Sequence, residues 1–252
     1  MSRWSRLTTS RRALTLLETV IALALIAVLL SILVPALTSA RVTSHRDHCA
    51  DNLRNIGEAW QTYLGDHEKR FPHVPLQPAW YYGGMRFSRI DGTAWPDYDR
   101  PLTPYLGVFK TRDYDSLCVC CPADRGISTP ASAAGTGQRT AFESYGTSYR
   151  ANAPLMDARL AGVSDETRGM SRSEISAFPA ALIVCGDAVW YEVAESTGRS
   201  ADWHGVSDSG NLLFLDGSVR FMTIRPRNVG GPIIFDPRGR GARPAPAPAT
   251  AP

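Results

Sequence analysis

The chain has 252 residues, a formal net charge of +3, 44% hydrophobic and 20% charged residues, 21 Gly and 18 Pro. The small basic excess lies partly in the two termini and forms no basic face, which argues against nucleic acid as a partner. Without the N-terminal leader, the apolar run that follows it and the C-terminal tail, about 190 residues remain, the size of one globular domain, and no internal repeat is apparent.

In chain order, four arginines (Arg3, Arg6, Arg11, Arg12) come first, and then an uncharged apolar run from Thr19 to Leu37. At ~1.5 Å per helical residue this run spans roughly 28 Å, close to the ~30 Å hydrocarbon core of a bilayer. Lys and Arg beside a span favour the cytoplasmic side, so the N-terminus is expected inside and the rest of the chain across the membrane. Glu18 is the one acid at the start of this segment. A carboxylate there costs a few kcal/mol on insertion scales, which makes it a functional candidate. A plain signal anchor would need no Glu18. A cleaved signal peptide has an acceptable site at Thr38-Ser39-Ala40, but the apolar run is long for one.

Beyond Pro35, Val42, Cys49, Leu53, Ile56, Trp60, Tyr63 and Leu64 recur mostly at three- and four-residue steps, with Arg46, Asp51, Asn52, Arg54 and Glu58 between them. This is an amphipathic helical face that must pack on something. The sequence therefore predicts one long helix, from Thr15 to about Lys69, stopped by Phe71-Pro72. Pro35 removes one backbone hydrogen bond and is expected to kink it. Residues 72–110 are rich in Pro, Gly, Trp and Tyr and read as short strands and turns; their aromatic stretch, 76–98, is either local packing or a binding face. Residues 131–139 read as a surface loop.

The C-terminal third reads as strands. Ala181–Cys185 is a short apolar run, Val189–Val193 is aromatic and β-branched, and Asp216-Gly217 joins Asn211–Leu215 to Ser218–Met222. Asp-Gly between apolar strands signals a hairpin whose two turn residues both need positive φ. The fold class is thus α+β: a long N-terminal helix packed on a C-terminal antiparallel sheet. The tail after Asp236 is Pro-, Ala- and Arg-rich and is expected to be disordered.

Ala13-Leu14-Thr15-Leu16-Leu17-Glu18 resembles the processing site of prepilins and pseudopilins, with Ala13 where that family usually has Gly. The resemblance implies cleavage between Ala13 and Leu14, methylation of the new amine, and Glu18 as the fifth mature residue; Pro35 falls where many pilins carry a helix-bending Pro. Trp203-His204-Gly205 followed by Gly210 to Gly217 is similar to the His-to-Asp-Gly signature (His204, Asp216, Gly217) of a bacterial subfamily of prepilin-type proteins. The spacer of eleven residues, Gly205 to Leu215, is longer than the subfamily's common one. Asp51-Asn52-Leu53, Cys121-Pro122-Ala123-Asp124 and Ser144-Tyr145-Gly146 with Asn152 match the subfamily's other segments.

The resemblance implies a structural subunit of an envelope filament or type II secretion-type assembly, single-pass in the cytoplasmic membrane. Its partners would be the prepilin peptidase/N-methyltransferase, other pilin-like subunits and the bilayer, with no nucleic acid. The domains would be a leader (1–13), an assembly helix (14–37), a helical extension (38–70), an exported domain (71–236) and the tail (237–252). A membrane-anchored binding module, for instance for polysaccharide, is the alternative.

Five cysteines, Cys49, Cys118, Cys120, Cys121 and Cys185, lie in a part expected to be exported, where disulfides persist. Cys118, Cys120 and Cys121 are too close to pair among themselves, so one of them bonding Cys49 or Cys185 is expected. Zinc usually takes cysteines in C-x₂₋₄-C pairs, and Cys118-x-x-Cys121 has no second pair. Cys118-x-x-Cys121 also has a redox-motif spacing without the thioredoxin-like setting. Asp208 and Asp216 are candidates for calcium, but their spacing matches no defined calcium loop, so no cofactor is assigned. The sequence holds no Gly-x-Ser-x-Gly, His-Glu-x-x-His or phosphate loop, and the reading is of a non-enzyme. A triad of His204 with Asp202 or Asp216 and a serine exists only on paper.

Overall fold

The computed structural model describes residues 15–85, 100–106, 118–126, 140–164, 166–190, 202–224 and 234–238. The chain divides into two compact units, Met1–Arg41 and Val42–Pro252. One helix, α1 (Leu16–Asp66), runs without a break through Pro35 and across that division.

In the first unit the helix starts on a capping box. The Thr15 backbone N–H donates to Glu18 Oε2 at 2.8 Å, and the Thr15 hydroxyl receives the Glu18 N–H at 3.2 Å. These bonds satisfy two of the donors that every helix start leaves open. The apolar residues that follow are exposed all round, from Leu16 at 83% to Leu37 at 59%. This helix is long and apolar enough to span a membrane.

In the second unit the expected stripe is buried. Cys49, Leu53, Ile56, Trp60 and Tyr63 join one core with Tyr149, Ala151, Val184, Cys185 and Leu213 of the sheet. Helix and sheet touch closely at Gly57, where a Cβ would come 2.9 Å from Leu213 Cδ1. The helix stops at Asp66, before Phe71-Pro72, because Glu68 (φ 52°) and Lys69 (φ 56°) turn left-handed and the Lys69 N–H caps the Leu64 carbonyl at 2.8 Å.

The sheet has four antiparallel strands in the order β1 (Tyr149–Ala151), β2 (Ile183–Asp187), β3 (Ser209–Phe214) and β4 (Val219–Thr223). β3 is buried along its whole length. Leu213 faces the α1 core, while Leu212 and Phe214 face a second cluster with Ile183, Trp190 and Ile224. The β2–β3 register shifts between Ile183 and Cys185, and both Val184 and Cys185 join the helix-side core. Such a shift is how a bulge puts two neighbours on one face.

The α+β expectation and the hairpin hold, with corrections in detail. Gly217 alone takes positive φ (86°) in the turn; Asp216 does not. The Gly217 N–H bonds the Phe214 carbonyl and the Phe214 N–H bonds the Ser218 carbonyl, which makes a three-residue loop. Val189 and Trp190, expected in a strand, are helical; residues 191–193 lie outside the described set. They follow Asp187, where β2 ends. β1 is a strand that the sequence reading did not expect, and two short helices, α2 (Ala141–Tyr145) and α3 (Ala153–Met156), flank it. Among the described residues of 72–110 there is no strand; the expected turns are there, at 78–82, with a 3₁₀ turn at Thr103–Leu106. The leader, the loop at 131–139 and the tail from 239 onward lie outside the described residues.

Candidate functional site

At the N-terminal end, Ala13 and Leu14 lie outside the described residues, and Glu18 is the acid of the capping box. Its partner within the helix is Thr15, whose hydroxyl donates to Oε2 at 3.0 Å beside its N–H. Thr15-Leu16-Leu17-Glu18 before an apolar run is the spacing of a capping box, so the signal was in the sequence.

The second feature is a fully buried polar centre, where α1, the Cys-Pro segment, β2 and the loop before β3 meet. Cys49 on α1 forms a disulfide with Cys121, with Cα atoms 5.3 Å apart and a sequence separation of 72. This selects one of the pairings left open by the sequence. Cys118, Cys120 and Cys185 lie outside the disulfide. Burial pushes the Cys118 thiol up to about 11 and the Cys185 thiol up to about 12, so neither is a ready nucleophile. Cys185 lies 3.2 Å from the Tyr82 hydroxyl, whose own pKa burial also raises.

Three hydrogen-bond sets hold Cys121 in place. Its N–H donates to Ser148 Oγ at 3.0 Å, and Ser148 Oγ donates to Asp124 Oδ2 at 2.7 Å. Asp124 also accepts the backbone N–H groups of Gly126, Ala141 and Phe142, at 2.8, 3.0 and 2.9 Å. Burial raises its pKa, and these bonds work against that. Asn52, one turn beyond Cys49, donates from Nδ2 to the Cys120 carbonyl at 2.9 Å and the Tyr149 hydroxyl at 3.0 Å.

On the sheet side sits a buried pair. His204 Nε2 is 2.9 Å from Asp187 Oδ2, with both side chains fully enclosed. The same oxygen accepts the Asn211 N–H at 2.7 Å, and Asn211 Nδ2 donates to the Arg46 carbonyl on α1 at 3.1 Å. Among the described residues, Asp187 Oδ1 and His204 Nδ1 have no hydrogen-bond partner. His204 Nε2 stands 3.9 Å from Cys121 Sγ. One ligand atom each from Cys49, Cys121, Asp187 and His204 lies within 4.8 Å of the others.

The two ends of the His-to-Asp-Gly signature lie in different settings. His204 reaches neither Asp216 nor Asp202 for its hydrogen bond; its carboxylate is Asp187. Asp216 is exposed and bonds Ser218 N and Oγ at 2.9 and 2.7 Å, serving the turn with Gly217. Asp208 takes a left-handed φ of 56° before β3. Neither calcium candidate belongs to the four-residue cluster, and the paper triad is not assembled around His204. Asp187 is a site residue that the sequence does not single out. Its signal was a charge closing an otherwise apolar strand, Ile183-Val184-Cys185-Gly186-Asp187.

The described aromatics of the 76–98 stretch pack inward. Trp80, Tyr81 and Tyr82 are 5, 9 and 1% exposed, and Trp80 stacks on Tyr145 at 4.2 Å. Residues 86–98 of that stretch lie outside the described set. Comparison with protein-family models, curated proteins and solved structures finds no match to this chain.

Proposed function

We propose that this chain is a pilin-like or pseudopilin-like structural subunit of a cell-envelope filament or type II secretion-type assembly. In this reading it is a single-pass protein of the cytoplasmic membrane, N-terminus inside, domain on the far side. The observation that carries the reading is the division of α1: a half exposed and apolar all round, continuous with a half that builds a domain core.

The mechanism is the one that the resemblance to prepilins implies, and that division suits it. A prepilin peptidase cuts between Ala13 and Leu14 and the new amine is methylated. The apolar half then passes from lipid to a bundle of like helices, surroundings of similar polarity, so the move depends on packing and on the few polar groups. Glu18 is the ionised group in that half. Thr15 occupies one of its oxygens in the isolated helix. A carboxylate accepts several donors, so capacity remains for the α-amine of a neighbouring subunit. A lone carboxylate in an apolar bundle is penalised, and an opposite charge in register relieves it, which fixes register more than it adds stability.

Mass spectrometry of the protein from its native membrane tests this. We expect a chain beginning at a methylated Leu14; one beginning at Met1, Ser2 or Arg41 overturns the reading. Assembly is tested by crosslinking cysteines engineered into the apolar half. Glu18→Leu should insert as well as wild type but crosslink far less. Equal crosslinking at matched expression would favour an anchored binding module.

A further inference from the structure

We propose that Cys49, Cys121, His204 and Asp187, when the two cysteines are reduced, form a closed tetrahedral site for one divalent metal ion of the zinc class. The same two sulfurs would then serve either as a disulfide or as half of a metal clamp. This does not rest on the assembly reading.

The donor set is the first support. Two thiolates, one imidazole and one carboxylate are the ligands that zinc takes in four-coordinate sites. They come from four separate segments, so no C-x₂₋₄-C pair is needed, and the spacing argument against zinc does not apply.

Geometry is the second. Zn–S of about 2.3 Å and Zn–N or Zn–O of about 2.0–2.2 Å place tetrahedral ligand atoms roughly 3.3–3.8 Å apart. His204 Nε2 and Asp187 Oδ2 are 2.9 Å apart, and His204 Nε2 and Cys121 Sγ are 3.9 Å apart. All four ligand atoms fall within 4.8 Å of one another. To take the ion, the two sulfurs, bonded to each other in the disulfide, must part, and His204 Nε2 and Asp187 Oδ2 must open from 2.9 Å to roughly 3.3 Å as the ion replaces the hydrogen bond between them.

The third support is an acceptor atom left open on a buried carboxylate. Asp187 is 0% exposed, and among the described residues its Oδ1 receives no hydrogen bond. A buried carboxylate is costly unless a cation or a full set of donors faces it. The remaining ligands are as enclosed, at 0% for Cys49 and 2% for Cys121 and His204. Four protein ligands with none open to solvent make a structural site, since a catalytic zinc keeps one position for water or substrate.

The two states interconvert with balanced chemistry. Reduced and metal-free, each thiol gives up a proton on binding the ion. A partner disulfide of the dithiol–disulfide exchange class then takes two electrons from the two thiolates. The Cys49–Cys121 bond forms, the metal ion leaves with its charge unchanged, and the partner's two sulfurs take up two protons as thiols.

The test uses the full chain in detergent micelles, reduced with a phosphine, stripped with a chelator and titrated with cobalt(II) without oxygen. We expect the visible bands of tetrahedral cobalt and a thiolate-to-cobalt charge-transfer band, saturating at one ion per chain and abolished by zinc. The oxidised chain should show neither. Cys49→Ser and Cys121→Ser should remove the charge-transfer band or leave a single-thiolate remnant. His204→Ala and Asp187→Asn should weaken binding by at least about tenfold, the scale at which even outer-shell partners act. Both should still form the disulfide on oxidation, which shows that they fold. If His204→Ala does not, His204→Gln and Asp187→Asn carry the same comparison. The pair Cys118→Ser with Cys120→Ser should bind as wild type does. No charge-transfer band in the reduced chain, a band that disappears with Cys118 and Cys120, or undiminished binding in both Asp187→Asn and the His204 variant would overturn the proposal.

Discussion

The two halves of α1 follow opposite rules within one unbroken helix. From Leu16 to Leu37 the apolar residues cover every face and are all exposed, as at Leu25 (61%) and Leu29 (66%). From Cys49 to Tyr63 the apolar residues keep to one stripe and are buried, while Asp51, Arg54 and Glu58 between them face water. A helix that is apolar all round needs an apolar solvent or other helices, and a striped one needs a sheet or helix of its own domain. The difference teaches that helix formation alone does not set the role of a segment. Where the apolar residues fall around the axis decides it.

The comparison breaks most visibly by truncation. Leu53→Ala and Ile56→Ala, both from fully buried positions, should each destabilise the domain by about 2–5 kcal/mol. Leu25→Ala and Leu29→Ala should leave its stability within about 0.5 kcal/mol of wild type. Urea unfolding in detergent, followed by the fluorescence of buried Trp60, Trp80 and Trp203, reads both. A loss at Leu25 as large as that at Ile56 would end the distinction.

Reducing the Cys49–Cys121 bond in the presence of a chelator should lower stability by about 2–4 kcal/mol, the usual contribution of a disulfide closing a long loop. The check is the unfolding midpoint of oxidised against reduced protein. An unchanged midpoint would mean that the surrounding hydrogen bonds hold the Cys-Pro segment without it.

Two glycines of α1 sharpen the comparison within its second half. Gly57→Val pushes into Leu213 and should cost about 1–3 kcal/mol. At Gly65 an added Cβ meets nothing within 4 Å, so Gly65→Ala should stabilise by up to about 1 kcal/mol through helix propensity. Opposite signs in one thermal-melt series are the expected result.

The smallest effect is at acid pH. Glu174 caps its own turn at Ser171 and pairs with Arg168 at 2.6 Å; the Arg168 guanidinium holds its carboxyl down to about 2, from an ordinary 4.5. A lowered folded pKa contributes stability that is full above the unfolded value and fades as pH falls through the folded one. Stability should therefore decline between about pH 4.5 and pH 2, and Glu174→Gln should flatten that slope. A slope that is identical in the variant would assign the acid sensitivity elsewhere.

Much of the fold was legible in the sequence because it depends on period. The 3.6-residue stripe through Leu53, Ile56 and Trp60 and the apolar runs around Asp216-Gly217 needed no tertiary information. Val189-Trp190 misled because aromatic and β-branched residues suit either a buried helical turn or a strand, and only the end of β2 at Asp187 decides. The helix end misled in another way: non-glycine residues, Glu68 and Lys69, took the left-handed conformation expected of glycine. The polar centre was legible only in parts. Compartment chemistry pointed to a disulfide but could not choose between Cys118, Cys120 and Cys121. The Asp187–His204 pair joins a strand end to a loop, a distance set by tertiary folding and by no local pattern. The signature residues themselves were visible, yet several proved to be pins rather than chemistry: Asn52, Asp124 and Asn152 each tie one segment's backbone to another.

The Cys49–Cys121 bond also governs how the protein would carry mechanical load. A pull on α1 reaches Cys49 and crosses the sulfurs directly to Cys121, whose N–H is tied through Ser148 to the base of β1. The intervening loop, closed by cysteines at a sequence separation of 72, is shunted out of the force path. At ~3.5 Å per extended residue that shortens the fully stretched chain by roughly 250 Å. Oxidised, the chain is a short, stiff link; reduced, it is a long extensible one.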